Sequence, residues 1–130
     1  MGMLVEGKWC EEDQYIKNGK YVRPPSVYGN SILEQVAENI ITSPGRYHLI
    51  GSNSCQWSHR TMIFRQIKNL TTYLPLHIAH GPRLQGYSIN GGDLWQIPGT
   101  TKTIQHLHQL YSLSDQHYTG RSTVPILWDS

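Results

Sequence analysis

The chain is poor in cysteine, in charge and in long apolar runs, and each shortage excludes a class of protein. Its 130 residues include two cysteines, Cys10 and Cys55. A small secreted domain held by disulfides carries more, so a Cys10–Cys55 bridge is not expected. Charged residues make up 15% of the chain, the net charge is +2, and no dense Lys/Arg run occurs. That balance argues against a nucleic-acid partner. No stretch approaches the length of a membrane-spanning helix, so no membrane partner is expected. The opening MGMLVEGKWCEEDQ has no apolar segment of the secretory kind. Glu6 stands where a myristoylation site has Ser or Thr. The expected location is cytoplasmic, and the sequon Asn69-Leu70-Thr71 is then a chance match. The seven histidines form no Cys/His cluster with structural-zinc spacing, so no metal is expected. His106 and His108, two apart, fall on different faces if they lie on a helix.

The length suits one domain, and a hydrophobic content of 38% is enough for a modest core. Residues 1–30 are rich in Gly, Pro and charge and read as an irregular arm. SILEQVAENIIT (31–42) spaces Ile32, Val36, Ile40 and Ile41 as a short amphipathic helix that Ser43-Pro44-Gly45 stops. GRYHLIG (45–51) reads as a buried strand. A helix from about Ser58 to Leu70 follows, with Met62, Ile63, Phe64, Ile67 and Leu70 as its apolar face. LPLHIAH (74–80) alternates and reads as a second strand. Residues 81–101 carry Gly and Pro throughout and read as a long loop. KTIQHLHQLYSL (102–113) returns to helical spacing, 115–122 is turn, and TVPILWDS ends the chain as an apolar strand headed by Pro125. Strand, helix, strand, loop, helix, strand predicts an α/β layer with a parallel strand pair. The expected division is an N-terminal arm with a short helix over 1–43 and an α/β domain over 44–130. The last strand has no following element to cover it, so the domain reads as unfinished.

Cys55 stands between the strand and the helix. A lone cysteine is usually a small core residue. Here the sulfur would sit near unpaired N–H groups and the positive end of a helix dipole, both of which favour thiolate. His59 and Arg60 in the first turn add nearby positive charge, or are merely a solvated helix start. Pro125 after Val124 fits either a cis turn or a plain edge-strand proline. The tetrad Cys55-Gln56-Trp57-Ser58 has no second cysteine. A mixed disulfide on Cys55 would then be cleared by an outside thiol, for which glutathione is the obvious cytoplasmic source. Trp57, Trp95 and Trp128 read as packing residues and not as a stacking platform for single strands. Arg46 and Arg121 are of the type that forks onto carboxylates.

GRYHLI…CQWSHRTMIFR and YTGRSTVPILWD resemble the xi-class glutathione transferases, the glutathionyl-hydroquinone reductases. That family carries a Cys-Pro-Trp-Ala-His-Arg motif and a Tyr-Thr-Gly-Arg-x-Thr-Val-Pro-x-Leu-Trp-Asp segment. GKYVRPPS (19–26) agrees more loosely, and the resemblance covers roughly residues 19–130. It implies a thioredoxin-like α/β fold, incomplete, without the family's C-terminal all-helical domain and its dimer contacts. It implies a reaction in which Cys55 attacks the sulfur of a glutathionyl-hydroquinone and a second glutathione, the co-substrate, resolves the mixed disulfide. Val124 and Pro125, with Tyr87 and Trp57, are the implied glutathione-binding residues, and His59 and Arg60 the supporting ones.

The chain departs from the family pattern at Gln56, at Ser58 and at Tyr87, which stands in a Gly-Tyr-Ser-Ile loop where the family has Gly-Trp-x-Phe. It also ends before the Glu-Ser pair that holds the γ-glutamyl group in the family. Two other readings stand beside the reductase: a non-catalytic thioredoxin-like remnant, and glutaredoxin-like deglutathionylation. Poor cover for Ile126, Leu127 and Trp128 predicts a marginal, aggregation-prone fold.

Overall fold

The computed structural model describes residues 2–12, 14–28 and 34–130. The chain opens with two antiparallel hairpins, β1 (Met3–Val5) with β2 (Lys8–Cys10) and β3 (Ile16–Lys17) with β4 (Lys20–Tyr21). Both turns have φ > 0 at the two central residues: Glu6 and Gly7 at 48° and 74°, Asn18 and Gly19 at 51° and 71°. That geometry matches the twist of a two-residue hairpin, and Asn-Gly is its strongest sequence signal. Two hairpins therefore stand within the segment expected to be irregular, set by turn chemistry that its composition hides, while 22–26 hold no regular element. β1 is anchored to the far end of the chain. Leu4 N–H donates to Gly120 O at 2.8 Å and Gly120 N–H donates back to Leu4 O at 2.9 Å, while Met3 and Leu4 are fully buried.

The site is carried by a three-stranded sheet of order β6-β5-β9, with β5 (Tyr47–Gly51) parallel to β6 (Leu76–Ile78) and antiparallel to β9 (Ile126–Asp129). Helix α2 (Gln56–Ile67) makes the crossover between the parallel strands, as a parallel pair requires. Side chains of a strand alternate between faces, and β5 and β9 divide their apolar residues accordingly. Tyr47, Leu49 and Leu127 join one core with Val36 and Ile40 of α1 (Glu34–Thr42). Ile50, Ile126 and Trp128 join the other, with Leu107, with Leu110 of α3 (His108–Ser114) and with Val124. Parallel strands joined by α2, then α3, then an antiparallel strand after a Val-Pro step, is the thioredoxin-like α/β order that the sequence predicts.

Several expectations need correction. Ile32 lies outside the described residues, and Ile41 of α1 is exposed. Of the apolar face predicted for α2, Met62 turns in against β5 and Leu70 packs on a core cluster, while Ile63, Phe64 and Ile67 are exposed. The helix packs through Ser58, Thr61, Met62 and Arg65, at the i, i+3, i+4, i+7 spacing of a buried stripe. Ser58 opens that stripe because α2 lies close on β5: a Cβ at Gly51 would stand 2.9 Å from Met62 Cε and 3.2 Å from Ser58 Cβ.

The long loop over 81–101 contains a short 3-10 turn and strand β7 (Trp95–Gln96), which pairs with β8 (Thr103–Ile104). The predicted helix over 102–113 thus begins only at His108. Its first residues give their backbone groups elsewhere: Ile89 N–H donates to Gln105 O and Leu107 N–H to Tyr87 O. A group so used is not free for a helix. Ile126, Leu127 and Trp128 are half-buried, not bare, and Trp128 Nε1 donates to Pro98 O at 3.0 Å. Next to them, Arg46 holds Asp129 through Nε at 2.6 Å and Nη2 at 2.8 Å.

Candidate functional site

Strand β5 ends at Gly51, and three residues of loop carry the chain to Cys55, the N-cap residue of α2. Cys55 has extended backbone angles, φ −111° and ψ 117°, as an N-cap requires. Its carbonyl accepts the His59 N–H at 3.0 Å, the first bond of the helix. The side chain caps nothing, so the sulfur is left for other work. It is half-buried against the core around Ile50 and Val124. Cys55 and Cys10 are both free thiols.

Across from the sulfur is the segment that leads into β9. Val124 is buried, its peptide bond to Pro125 is cis, and its carbonyl oxygen lies 3.6 Å from Cys55 Sγ, within reach of the thiol proton. Residues 69 apart in sequence thus meet at one point.

Burial pushes the Cys55 thiol up, but the Ser58 and Trp57 N–H groups, the Ser58 hydroxyl and the Arg83 charge, all of which favour the anion, outweigh it and hold the thiol below its ordinary value. The N–H groups are the unpaired donors of a helix start. They stabilise an anion at the sulfur more than they stabilise a neutral thiol.

The cation whose charge reaches the sulfur is Arg83, which comes from the loop after β6. Its guanidinium donates to Ser54 Oγ at 2.7 Å and lies 4.1 Å over the Tyr87 ring. A cleft of about 210 Å³ opens here, lined by Ser52, Ser54, His80, Arg83, Tyr87 and Ser88 among others.

Of the residues singled out in sequence, Cys55, Val124 and Pro125 converge, and Tyr87 lines the adjoining cleft. Trp57 contributes its backbone N–H to the sulfur, and the residue is 69% exposed. The sequence reads it as a packing residue, and the exposure corrects this. His59 and Arg60 are exposed on α2, and neither is among the groups that act on the thiol. Sequence reasoning misses two residues that do act. Ser58 reads in sequence only as a departure from the family pattern, although its position one turn after Cys55 signals that the two can meet. Arg83, 28 residues after Cys55 in a Gly/Pro-rich stretch, carries no sequence signal at all.

Among the described residues no group of three or more His, Cys, Asp or Glu could hold a metal ion, and no helix is long and apolar enough to cross a membrane. His106 and His108 are not on opposite helix faces. His106 precedes α3, and the two rings stack at 5.7 Å with Trp9 stacked on His108 at 4.8 Å.

A thioredoxin-like α/β sheet whose crossover helix opens on a free thiol, facing a cis-proline segment, has the arrangement of the glutathione transferase fold. The relatives agree. Glutathionyl-hydroquinone reductase YqjG of Escherichia coli (strain K12) is 33% identical over 138 residues, covering 99% of this chain and 42% of that protein. Glutathionyl-hydroquinone reductase PcpF of Sphingobium chlorophenolicum is 33% identical over 132 residues, covering 99% of this chain and 41% of its own length. Among solved structures, the Xi-class transferase from Natrialba magadii superposes with a TM-score of 0.66 at 27% identity, over 99% of this chain and 38% of that one. The glutathione-bound structure of YqjG gives 0.55 at 38% identity, over 67% and 29%. No family model matches the chain. The protein is a homologue of the Xi-class glutathione transferases and glutathionyl-hydroquinone reductases, and it spans about two fifths of the length of the curated relatives it matches (42% and 41%).

Proposed function

We propose that this chain carries the thiol site of a glutathione-dependent reductase acting on glutathionyl-hydroquinones. The observation that carries the reading is the convergence of Cys55 Sγ, the N–H groups that open α2 and the Val124 carbonyl. In the first step the Cys55 thiolate attacks the sulfur of the thioether. The sulfur–sulfur bond of a Cys55–glutathione mixed disulfide forms, and the carbon–sulfur bond breaks. The ring carbon keeps the electron pair and takes a proton, releasing the hydroquinone. In the second step the thiolate of a second glutathione attacks the glutathionyl sulfur. Oxidised glutathione leaves and Cys55 is a thiolate again.

Position 58 is a serine, so no thiol one turn along the helix can resolve the intermediate. The outside thiol is therefore required, and ping-pong kinetics follow. Val124 and Pro125, with Tyr87 and the Trp57 backbone, are the proposed contacts for the cysteinyl part of glutathione. The proposed compartment is the cytoplasm, where reduced glutathione is supplied. The start of α2 is exposed at Gln56, Trp57, His59 and Arg60, which favours a second reading, deglutathionylation of proteins or peptides by the same thiol.

The test is turnover of a glutathionyl-hydroquinone with reduced glutathione, with hydroquinone and oxidised glutathione measured as products. The expected result is one glutathione held on Cys55 by intact mass and loss of both products in Cys55→Ser. Product formation that survives Cys55→Ser would overturn the reading. Equal or faster turnover of a glutathionylated peptide assigns the second reading, and absence of any adduct assigns a non-catalytic thioredoxin-like remnant.

A further inference from the structure

The Ser58 side chain has no exposed surface, and its Oγ has no hydrogen-bond partner of good geometry among the described residues. A buried hydroxyl in that state is unfavourable, and native structures rarely keep one without cause. Packing does not supply the cause. Ser58 faces β5, with its Cβ 3.2 Å and its Oγ 3.5 Å from the place where a Gly51 Cβ would stand. An alanine would fill that space without leaving an oxygen unused.

The hydroxyl stands one helical turn after Cys55, at the spacing where side chains of a helix meet. What the sulfur offers it depends on the sulfur's proton. As a thiol, Sγ donates to Val124 O at 3.6 Å. A neutral thiol is only a weak acceptor, so the hydroxyl gains little. As a thiolate, the sulfur is an acceptor only, and donors around it become favourable.

We propose that Ser58 is a positioning residue for Cys55: ionisation exchanges the bond from Sγ–H to Val124 O for one from Ser58 Oγ–H to the sulfur. The proton goes to solvent, and the Val124 carbonyl is released to face the site. The other groups that bear on the sulfur are fixed in both states. They are the Trp57 and Ser58 N–H groups of α2 and the Arg83 charge from the loop after β6, while His59 and Arg60 remain exposed on the helix. The inference rests on the reading of Cys55 as a thiolate nucleophile, and it adds the residue that holds that thiolate.

The experiment is the rate of Cys55 alkylation against pH in the wild type and in Ser58→Ala, with Cys10 as the internal reference. Ser58→Ala is expected to slow the reaction about tenfold on the rising limb, as loss of one hydrogen bond to a charged group does, and to leave the plateau at high pH unchanged. A merely structural serine would not move that profile, and superimposed profiles would overturn the inference. Ser58→Cys gives a second readout that needs no titration: mild oxidation should close a disulfide between Cys55 and the introduced thiol within the monomer. Failure to close it would show that the two side chains do not meet. The failures are separable. If wild-type Cys55 reacts like Cys10, the thiolate reading falls and this inference falls with it. If wild-type Cys55 ionises early and Ser58→Ala matches it, this inference alone falls.

Discussion

The Arg83 guanidinium lies 4.1 Å over the ring of Tyr87 while it donates to Ser54 Oγ, next to the cysteine. The aromatic face and the serine together hold an exposed arginine where its charge favours the thiolate. Exposed charges are screened by salt and contribute modestly. Arg83→Gln should therefore slow Cys55 alkylation by about twofold to threefold at low ionic strength. The difference should vanish at high salt. A gap that persists in high salt would show that Arg83 acts by shaping the loop and not by its charge.

Gly51 closes β5 directly beneath α2, where a Cβ would stand 2.9 Å from Met62 Cε and 3.2 Å from Ser58 Cβ. The methionine end can swing aside, but the Ser58 Cβ belongs to the helix and must move with it. Gly51→Ala should cost ~1–3 kcal/mol, the usual scale of overpacking. It should also change the rate of Cys55 alkylation, because the displaced turn carries the N–H groups that face the sulfur. Urea unfolding of the two proteins gives the first quantity, and a stability equal to wild type would mean that α2 does not lie as close as described.

His108 is buried, is stacked between Trp9 and His106, and is bonded through Nε2 to Gln85 Oε1 at 3.0 Å. Burial, reinforced by His106, pushes it down to about 4 from 6.5. The unfolded chain therefore takes up this proton first. Stability is full above about pH 6.5, falls as pH drops toward about 4, and levels off below it. The slope from this one group is at most about 1.4 kcal/mol per pH unit. His48 and His77, in contact at 2.9 Å and also held low by burial, add to the same limb. His108→Gln should flatten the acid limb of a urea-midpoint profile without removing it. An unchanged slope would place His108 in solvent.

The carriers of the chemistry are legible from sequence because each has a local cause. Cys55 follows a strand and precedes a helix, and the Val124-Pro125 step heads the last strand; both signals lie within a few residues. The hairpin turn at Asn18-Gly19 is equally local, and it fails to announce itself only because charge and proline surround it. The apolar positions of α2 show the limit of such reading. Periodicity identifies Ile63, Phe64 and Ile67 as a face but does not say that Gly51 and Ser58 bring the opposite face onto the sheet.

By itself, then, the sequence determined the strand–helix order, the single thiol in place of a pair, and the family resemblance. These depend on backbone propensity and on residues adjacent in the chain. The tertiary structure alone decided which cation acts on the sulfur, which hydroxyl is buried one turn from it, and that 102–107 pairs with the preceding loop in place of extending α3. Each of those outcomes is a contact between segments far apart in the chain, and such contacts are set by packing of the whole sheet, to which no local pattern gives access.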